Sequence, residues 1–292
     1  MIGASRHALL TPLEGLEGFK RVVDLVNKNR PSTTWVNGAV DAQKWHIAAG
    51  ILWETKRPSL IIAPNELRAK EIYENLYFFF KEACRAYPSR DLLFYAADVK
   101  SSDITRRRLV VLDRLEKYSR SEVAKFGVAP PVVVLSAEAL LDRMTPPETF
   151  HRYRLKLSNG DARILEDIAR RLVQMGYERA GLVEGPGQFA LRGGILDIYP
   201  TIGMFMPIKG KTYLNHSTSY SGLDENKRDI FPFSEGQALR IEFLGDEVDS
   251  IRLIDTHSQR SVENIAGFEV YPARELVFSR ARLRRAVDFI KA

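Results

Sequence analysis

The chain has 292 residues, 45% hydrophobic and 27% charged, a composition that suits a soluble globular protein and excludes a fibrous or low-complexity one. The only cysteine, Cys84, rules out an intrachain disulfide framework, and five scattered histidines lack metal-ligand spacing, so no metal and no disulfide scaffold is expected. A net charge of +6 permits contact with nucleic acid or an acidic protein without demanding either; with no apolar run of about 18 residues and no signal pattern at the start, a cytoplasmic protein without a membrane anchor is expected.

The first half alternates helices and strands. Leu16, Phe19, Val22, Val23 and Val26 recur at helical spacing. Thr34, Trp35 and Val36 suit a strand, and Trp45, Ile47, Ala48, Ile51 and Leu52 suit the helix after it. Between them, Gly38, Gln43, Lys44 and Trp45 align with the phosphate-binding pattern G-x-x-x-x-G-K-[ST]. The first Gly and the Lys are kept. Gln43 puts a side chain where a phosphate needs bare backbone, and Trp45 has no hydroxyl for Mg²⁺. The stretch reads either as an ordinary strand–helix connection or as a nucleotide site that has lost its chemistry.

"SLIIAP" is a short apolar strand, and Pro64-Asn65 opens a helix carrying Leu67, Ile72, Leu76, Phe79 and Phe80. Cys84 falls late in that helical pattern, as an inert thiol. "DLLFYAA", residues 91–97, reads as a strand, "SSDITRRRLVVLDRLEKY" as a helix with a Ser/Asp cap, and "PPVVVLSAEALLDRM" as a buried strand running into a helix. Continuous apolar strands alternating with helices predict a parallel α/β sheet. Arg106, Arg107 and Arg108 are consecutive, so a helix spreads them over different faces. They read as a solvated helix start or, alternatively, as a nucleic-acid contact.

The pattern changes after "TPPE", residues 145–148. "YRLKL" alternates as a strand does. Residues 161–176 predict a helix with Leu165, Ile168, Leu172 and Met175 inward and Gly176 as its stop. "GPGQFALRGGILDIYP" then alternates until Gly193-Gly194 imposes a bulge or bend. "ALRIEFLGDEVDSIRLID" predicts a hairpin around Gly245-Asp246, with Leu239, Ile241 and Phe243 on one face and Arg240, Glu242 and Leu244 on the other. Residues 201–236 read as a long polar insertion between these strands. "FEVYP" closes the β-rich part, and "LVFSRARLRRAVDFIKA" predicts a terminal helix.

The run from "GYERAGLVEGPGQFALRGGILDIYP" through "LRIEFLGDEVDSIRLIDTHSQRSVE" resembles the UvrB-like region at the amino terminus of bacterial transcription-repair coupling factor (Mfd). UvrB has a related pattern but an intact nucleotide loop; the "SQRS" element and the altered loop favour the coupling factor. The resemblance implies a RecA-like domain over residues 1–147 with a degenerate Walker A site, an inserted α+β domain over 148–272 that docks UvrA, and a return segment over 273–292. It implies no catalytic residue and no cofactor in this segment. RNA polymerase contact and ATP-driven translocation on DNA would lie in the remainder of the parent protein, of which this chain would be an amino-terminal fragment.

On that resemblance the UvrA-binding residues are Arg192, Arg240, Leu244, Asp246 and Glu247. Both arginines sit on amphipathic strands, and guanidinium groups suit bidentate pairing with a partner's carboxylates. Consecutive strands usually neighbour each other, so the two are expected on adjacent strands. The competing reading pairs them within the chain, with Glu242, Asp197 or Glu247. Two functions of other classes stay open: a UvrB-like nucleotide-dependent repair ATPase, and a basic DNA-binding module.

Overall fold

A computed structural model describes residues 8–90, 98–119, 129–206, 208, 231–233 and 236–275. The chain forms two compact units, residues 1–96 with 110–142, and residues 97–109 with 143–292. The expected strand at 91–97 and the expected terminal helix lie outside the described residues.

In the first unit a 3₁₀ turn, Ala8–Gly15, leads into α1 (Glu17–Asn27), and α2 (Asp41–Thr55) precedes β1 (Ser59–Ala63). Helix α3 (Glu66–Phe80) starts where Asn65 accepts a hydrogen bond from the Arg68 amide, a side-chain cap for an otherwise orphan donor. It buries Ala69, Ile72 and Leu76, while Leu67 turns outward. The helix stops at Phe80 because Lys81 takes a left-handed φ of 46°. Cys84 therefore opens strand β2 (Cys84–Tyr87) instead of closing a helix.

Strand β3 (Val132–Ser136) is buried along its whole length and pairs in parallel with β1 on one side and β2 on the other. The expectation of a parallel sheet with helical crossovers is met by this three-stranded core. The expected strand at 34–36 is absent: residues 31–40 are irregular, and Trp35 is 84% exposed. Helix α4 (Asp98–Ser119) begins before the Ser101-Ser102-Asp103 stretch expected to cap it. A short α5 (Ala137–Leu141) follows β3, capped by the Ser136 hydroxyl.

The second unit opens with α6 (Pro147–Arg152) and β4 (Leu155–Ser158). Helix α7 (Leu165–Gln174) places Leu165, Ile168 and Leu172 in the core, with Gly176 at φ 86° after it, as the apolar spacing predicts. It starts later than residue 161 because Gly160, Asp161 and Arg163 bond through their backbones to Val248 and Asp246.

A six-stranded sheet follows, in the order β12-β11-β10-β7-β6-β5. Its strands are β5 (Glu178–Arg179), β6 (Gln188–Arg192), β7 (Ile195–Tyr199), β10 (Gln237–Leu244), β11 (Glu247–Asp255) and β12 (Ser261–Ile265). A second, four-stranded sheet runs β4-β13-β8-β9, with β8 (Gly203–Met206), β9 (Phe231–Pro232) and β13 (Gly267–Val270). The stretch 201–236 is thus not wholly an insertion: both of its ends are strands, paired antiparallel at Met204–Pro232 and Phe205–Phe231. One core joins Leu155 and Leu157 of β4, α7, and Phe189, Leu196, Ile198, Leu239 and Ile241 of the large sheet.

Arg108 departs furthest from the solvated helix start expected for it. Its guanidinium is 1% exposed and forks onto the Glu275 carboxylate, Nε to Oε2 at 2.6 Å and one Nη to Oε1 at 3.0 Å. Arg107 pairs with Asp103 on the solvent side of the same helix.

Candidate protein-binding face

The six-stranded sheet turns one face to α7 and the main core. Side chains alternate across a strand, so Asp197, Arg240 and Arg252 share the opposite face. Their registers align in a row: Ala190 faces Asp197, Asp197 faces Arg240, Arg240 faces Arg252, and Arg252 faces Asn264. Around one end of this row a small apolar cluster of Val183, Ala190, Tyr199, Ala238 and Ile254 seals the surface.

Asp197 is the centre of the face. It is 0% exposed, and a buried carboxylate needs charge partners to stay ionised. Arg240 supplies one through two parallel bonds, Nε to Oδ1 at 2.8 Å and Nη2 to Oδ2 at 2.9 Å. Arg192 donates to Oδ2 at 2.5 Å. The bonds to Asp197 raise the Arg240 pKa above its ordinary value. Arg240 also reaches the carbonyl of Gln259 at 3.4 Å. Gln259 itself stands at a left-handed φ of 57° and is held by its side-chain bonds to the Val183 and Thr256 carbonyls. The turn before it is fixed by Asp255, which accepts from the amide and hydroxyl of Ser258; these bonds hold its carboxyl below the usual range.

The two arginines are not on adjacent strands, as consecutive order had led us to expect. Strand β7 lies between β6 and β10. The cause is Gly193-Gly194, which makes a tight hairpin turn with Gly193 at φ 59° and folds β7 back on β6 before β10 arrives. A side chain at 194 would press on the Phe243 carbonyl at 3.0 Å, a tight approach that Gly194 avoids where β10 seats against the turn.

The two arginines are also unequal. Arg192 keeps 46% of its side chain exposed, against 18% for Arg240. Of five N–H donors on a guanidinium, Arg192 commits one to Asp197 and Arg240 commits three, among the described residues. Arg252, which sequence reasoning missed, joins Glu242 and Ser250 on the same face. The 245–246 turn alone would set Ile251 opposite Arg240; a register shift between Glu242 and Phe243 brings Arg252 there instead, which local pattern does not signal.

Leu244 is 78% exposed at the end of β10. Asp246 and Glu247 form the hairpin tip, pinned by Arg163 N–H to the Asp246 carbonyl and by a bridge from Ala162 to Glu247. The face therefore joins a charged row, an exposed leucine and an acidic tip.

The residues of the altered phosphate loop belong to the first unit. Gly38 has φ 77°, and α2 begins at Asp41. The Gln43 side chain bonds back to the Val40 amide at 3.1 Å, closing the helix start from within. Lys44 pairs with Asp41 at 3.3 Å, and Arg68 reaches the other oxygen of Asp41 at 2.7 Å; Lys44 first, then Arg68, lowers the Asp41 pKa. Trp45 packs on the core beneath the Arg68 guanidinium, 5.5 Å from its ring centre. The carboxylate of Asp41 thus occupies the cations of this helix start. Among the described residues no group of His, Cys, Asp and Glu gathers to hold a metal ion, and no helix is long and apolar enough to cross a membrane.

Residues 155–209 and 225–276 match the family model described as the UvrB interaction domain. Over these residues the chain is similar to that family. Every residue of the charged row lies inside the match, and its break, residues 210–224, falls within the 201–236 stretch. Relatives extend the likeness over most of the chain. UvrABC system protein B of Thermotoga neapolitana is 26% identical over 94% of this chain and 37% of its own length. The same protein of Methanosarcina mazei is 24% identical over 94% of this chain and 36% of its own. Transcription-repair-coupling factor of Bacillus subtilis is 28% identical over 81% of this chain and 17% of its own length. The chain spans little more than a third of the UvrB relatives it matches. The UvrB-like resemblance read from the sequence is thus borne out, with both UvrB and the coupling factor among the relatives.

Proposed function

We propose that this chain is a non-catalytic protein-binding module of nucleotide excision repair, and that the face around Asp197 recruits UvrA. The observation that carries this reading is Arg192: a half-exposed guanidinium with unused donors, oriented by a buried carboxylate, inside the matched interaction domain. A fixed, partly desolvated arginine loses little freedom when it meets a partner's carboxylate, the property of an interface hot spot. Leu244 adds exposed apolar area beside it, and Asp246 and Glu247 supply an acidic edge for cations of the partner. Calorimetric titration of purified UvrA into the chain tests the reading. Saturable binding that Arg192→Ala weakens at least tenfold supports it; binding unchanged by that substitution overturns it.

On the same reading the first unit is a RecA-like domain with a degenerate Walker A site. On this reading residues 1–147 with 273–292 form that domain and 148–272 are inserted into it, bounds that differ from the compact units, which group 97–109 with 143–292. Support comes from the parallel β1-β3-β2 core and from the ion pairs that engage Lys44 and Asp41 at the helix start. The segment then has no ATPase activity and takes no cofactor. RNA polymerase contact and DNA translocation belong to parts of the coupling factor beyond the 17% that matches here, and the setting is the cytoplasm.

A further inference from the structure

On the side of the large sheet opposite Asp197, a cleft of about 750 Å³ opens between β4 and α7. Five cations line it, Arg154, Lys156, Arg163, Arg170 and Arg171, against one carboxylate, Asp167. They do not all have the same commitments. Arg154 pairs with Glu269 at 3.2 Å and lies over the Tyr271 ring, its centre 4.7 Å away. Arg171 donates to the Arg152 and Arg154 carbonyls at 2.9 and 2.7 Å, which fixes the wall of the cleft without neutralising the charge. Arg170 pairs with Asp167 in the open, where such a pair is weak. Lys156 and Arg163 are exposed and have no carboxylate partner among the described residues.

We propose that this cleft binds the phosphodiester backbone of duplex nucleic acid. The charge surplus is local and concave, so it concentrates a field that a scattered net charge does not. Arginine forks and a lysine point charge both suit phosphate oxygens. No aromatic ring lines the cleft, which removes the stacking that single strands use and leaves backbone contact alone. An acidic peptide needs apolar seats for its other side chains, and Ile164 is the main exposed apolar residue of the lining. The cleft and the charged row lie on different faces: Leu165, Ile168 and Leu172 of α7 pack on the core-facing side of the sheet, and Asp197 and Arg240 occupy the other; the two meet at the hairpin tip, where the Arg163 N–H donates to the Asp246 carbonyl.

The test uses the whole chain and a fluorescein-labelled 20-base-pair duplex, with anisotropy read from 50 to 200 mM salt. Each phosphate contact contributes about 0.9 to the slope of log affinity on log salt. Lys156→Gln with Arg163→Gln is expected to flatten the slope by about 2 and to weaken binding at least tenfold at 50 mM salt. Arg170→Gln, a separate variant, should flatten it by about 1. Lys28→Gln with Lys70→Gln removes the same charge from residues that do not line the cleft and should change affinity less than about twofold. Equal losses from both double variants would assign the binding to diffuse net charge and overturn the proposal. So would undetectable duplex binding at 50 mM salt, or labelled poly-glutamate binding more tightly than the duplex at equal charge concentration.

Discussion

Arg240 and Asp197 stand directly opposite each other on β10 and β7 and are joined by two parallel hydrogen bonds, although 43 residues separate them in the chain. The carboxylate is wholly buried and the guanidinium largely so. The pair is therefore a structural fixture that also aims a second arginine, Arg192, outward.

Removing the carboxylate should be more damaging than removing either arginine. Asp197→Ala leaves two guanidinium groups facing each other over a buried gap. Breaking a buried pair on one side costs about 3–5 kcal/mol, and partial exposure of the arginines brings the expectation here to roughly 2–4 kcal/mol. Urea unfolding, with the midpoint falling at constant slope, is the measurement.

The two arginines should separate in their effects. Arg192→Ala is expected to leave the unfolding free energy within about 0.5 kcal/mol of the parent, as for an exposed position, while weakening UvrA binding. Arg240→Ala should lower both, because Asp197 then keeps only Arg192. Leu244→Ala should reduce affinity by less than either. Parallel unfolding curves and calorimetric titrations distinguish these patterns; equal loss of stability from both arginine variants contradicts the assigned roles.

At the altered phosphate loop, Mg-ATP should produce no saturable signal, and Lys44→Ala should not change that. Trp45→Ser is instead expected to destabilise the chain by about 2 kcal/mol, less than a fully buried tryptophan because Trp45 is only half-buried. Nucleotide titration by fluorescence, followed by urea unfolding of both variants, checks the two expectations together.

The Cys84 thiol sets a pH dependence. Burial pushes it from 9.0 up to about 12. Below pH 9 the thiol is protonated in both the folded and unfolded chain and adds no pH dependence. Between about 9 and 12 the unfolded chain loses its proton first, so stability falls as pH rises through that window. Cys84→Ala should flatten the fall without abolishing it, since burial also raises the Tyr177 hydroxyl. Thermal midpoints from pH 8 to 11 show the difference, and thiol-reactive dyes should label the folded chain slowly at pH 8.

Strong alternation made the β-rich unit legible in sequence. The hairpin at Gly245-Asp246 and the inward spacing of Leu165, Ile168 and Leu172 needed only local periodicity and a turn signal. Strand β2 was not legible, because Phe78, Phe79 and Phe80 prolong the apolar pattern and a left-handed Lys81 leaves no residue signature. Arg108 looked like its two neighbours until a partner 167 residues away, Glu275, claimed it. The candidate site lay between these cases. Both arginines and Asp197 could be picked out from their strands, but their triangle depends on β7 folding back at Gly193-Gly194 before β10 joins, a matter of topology and not of local pattern.

That late-arriving strand has a consequence for when the face exists. Asp197 and Arg192 meet within one short hairpin, but Arg240 reaches them only after a distant stretch of chain has been threaded into place. Contacts of such separation form slowly, since the entropy of closing the intervening loop is lost before the contact rewards it. A chain emerging from the ribosome with residue 240 still unmade holds a carboxylate paired with Arg192 alone. If the face recruits a partner as proposed, a partner that needs Arg240 in place engages only chains in which β10 has joined the sheet.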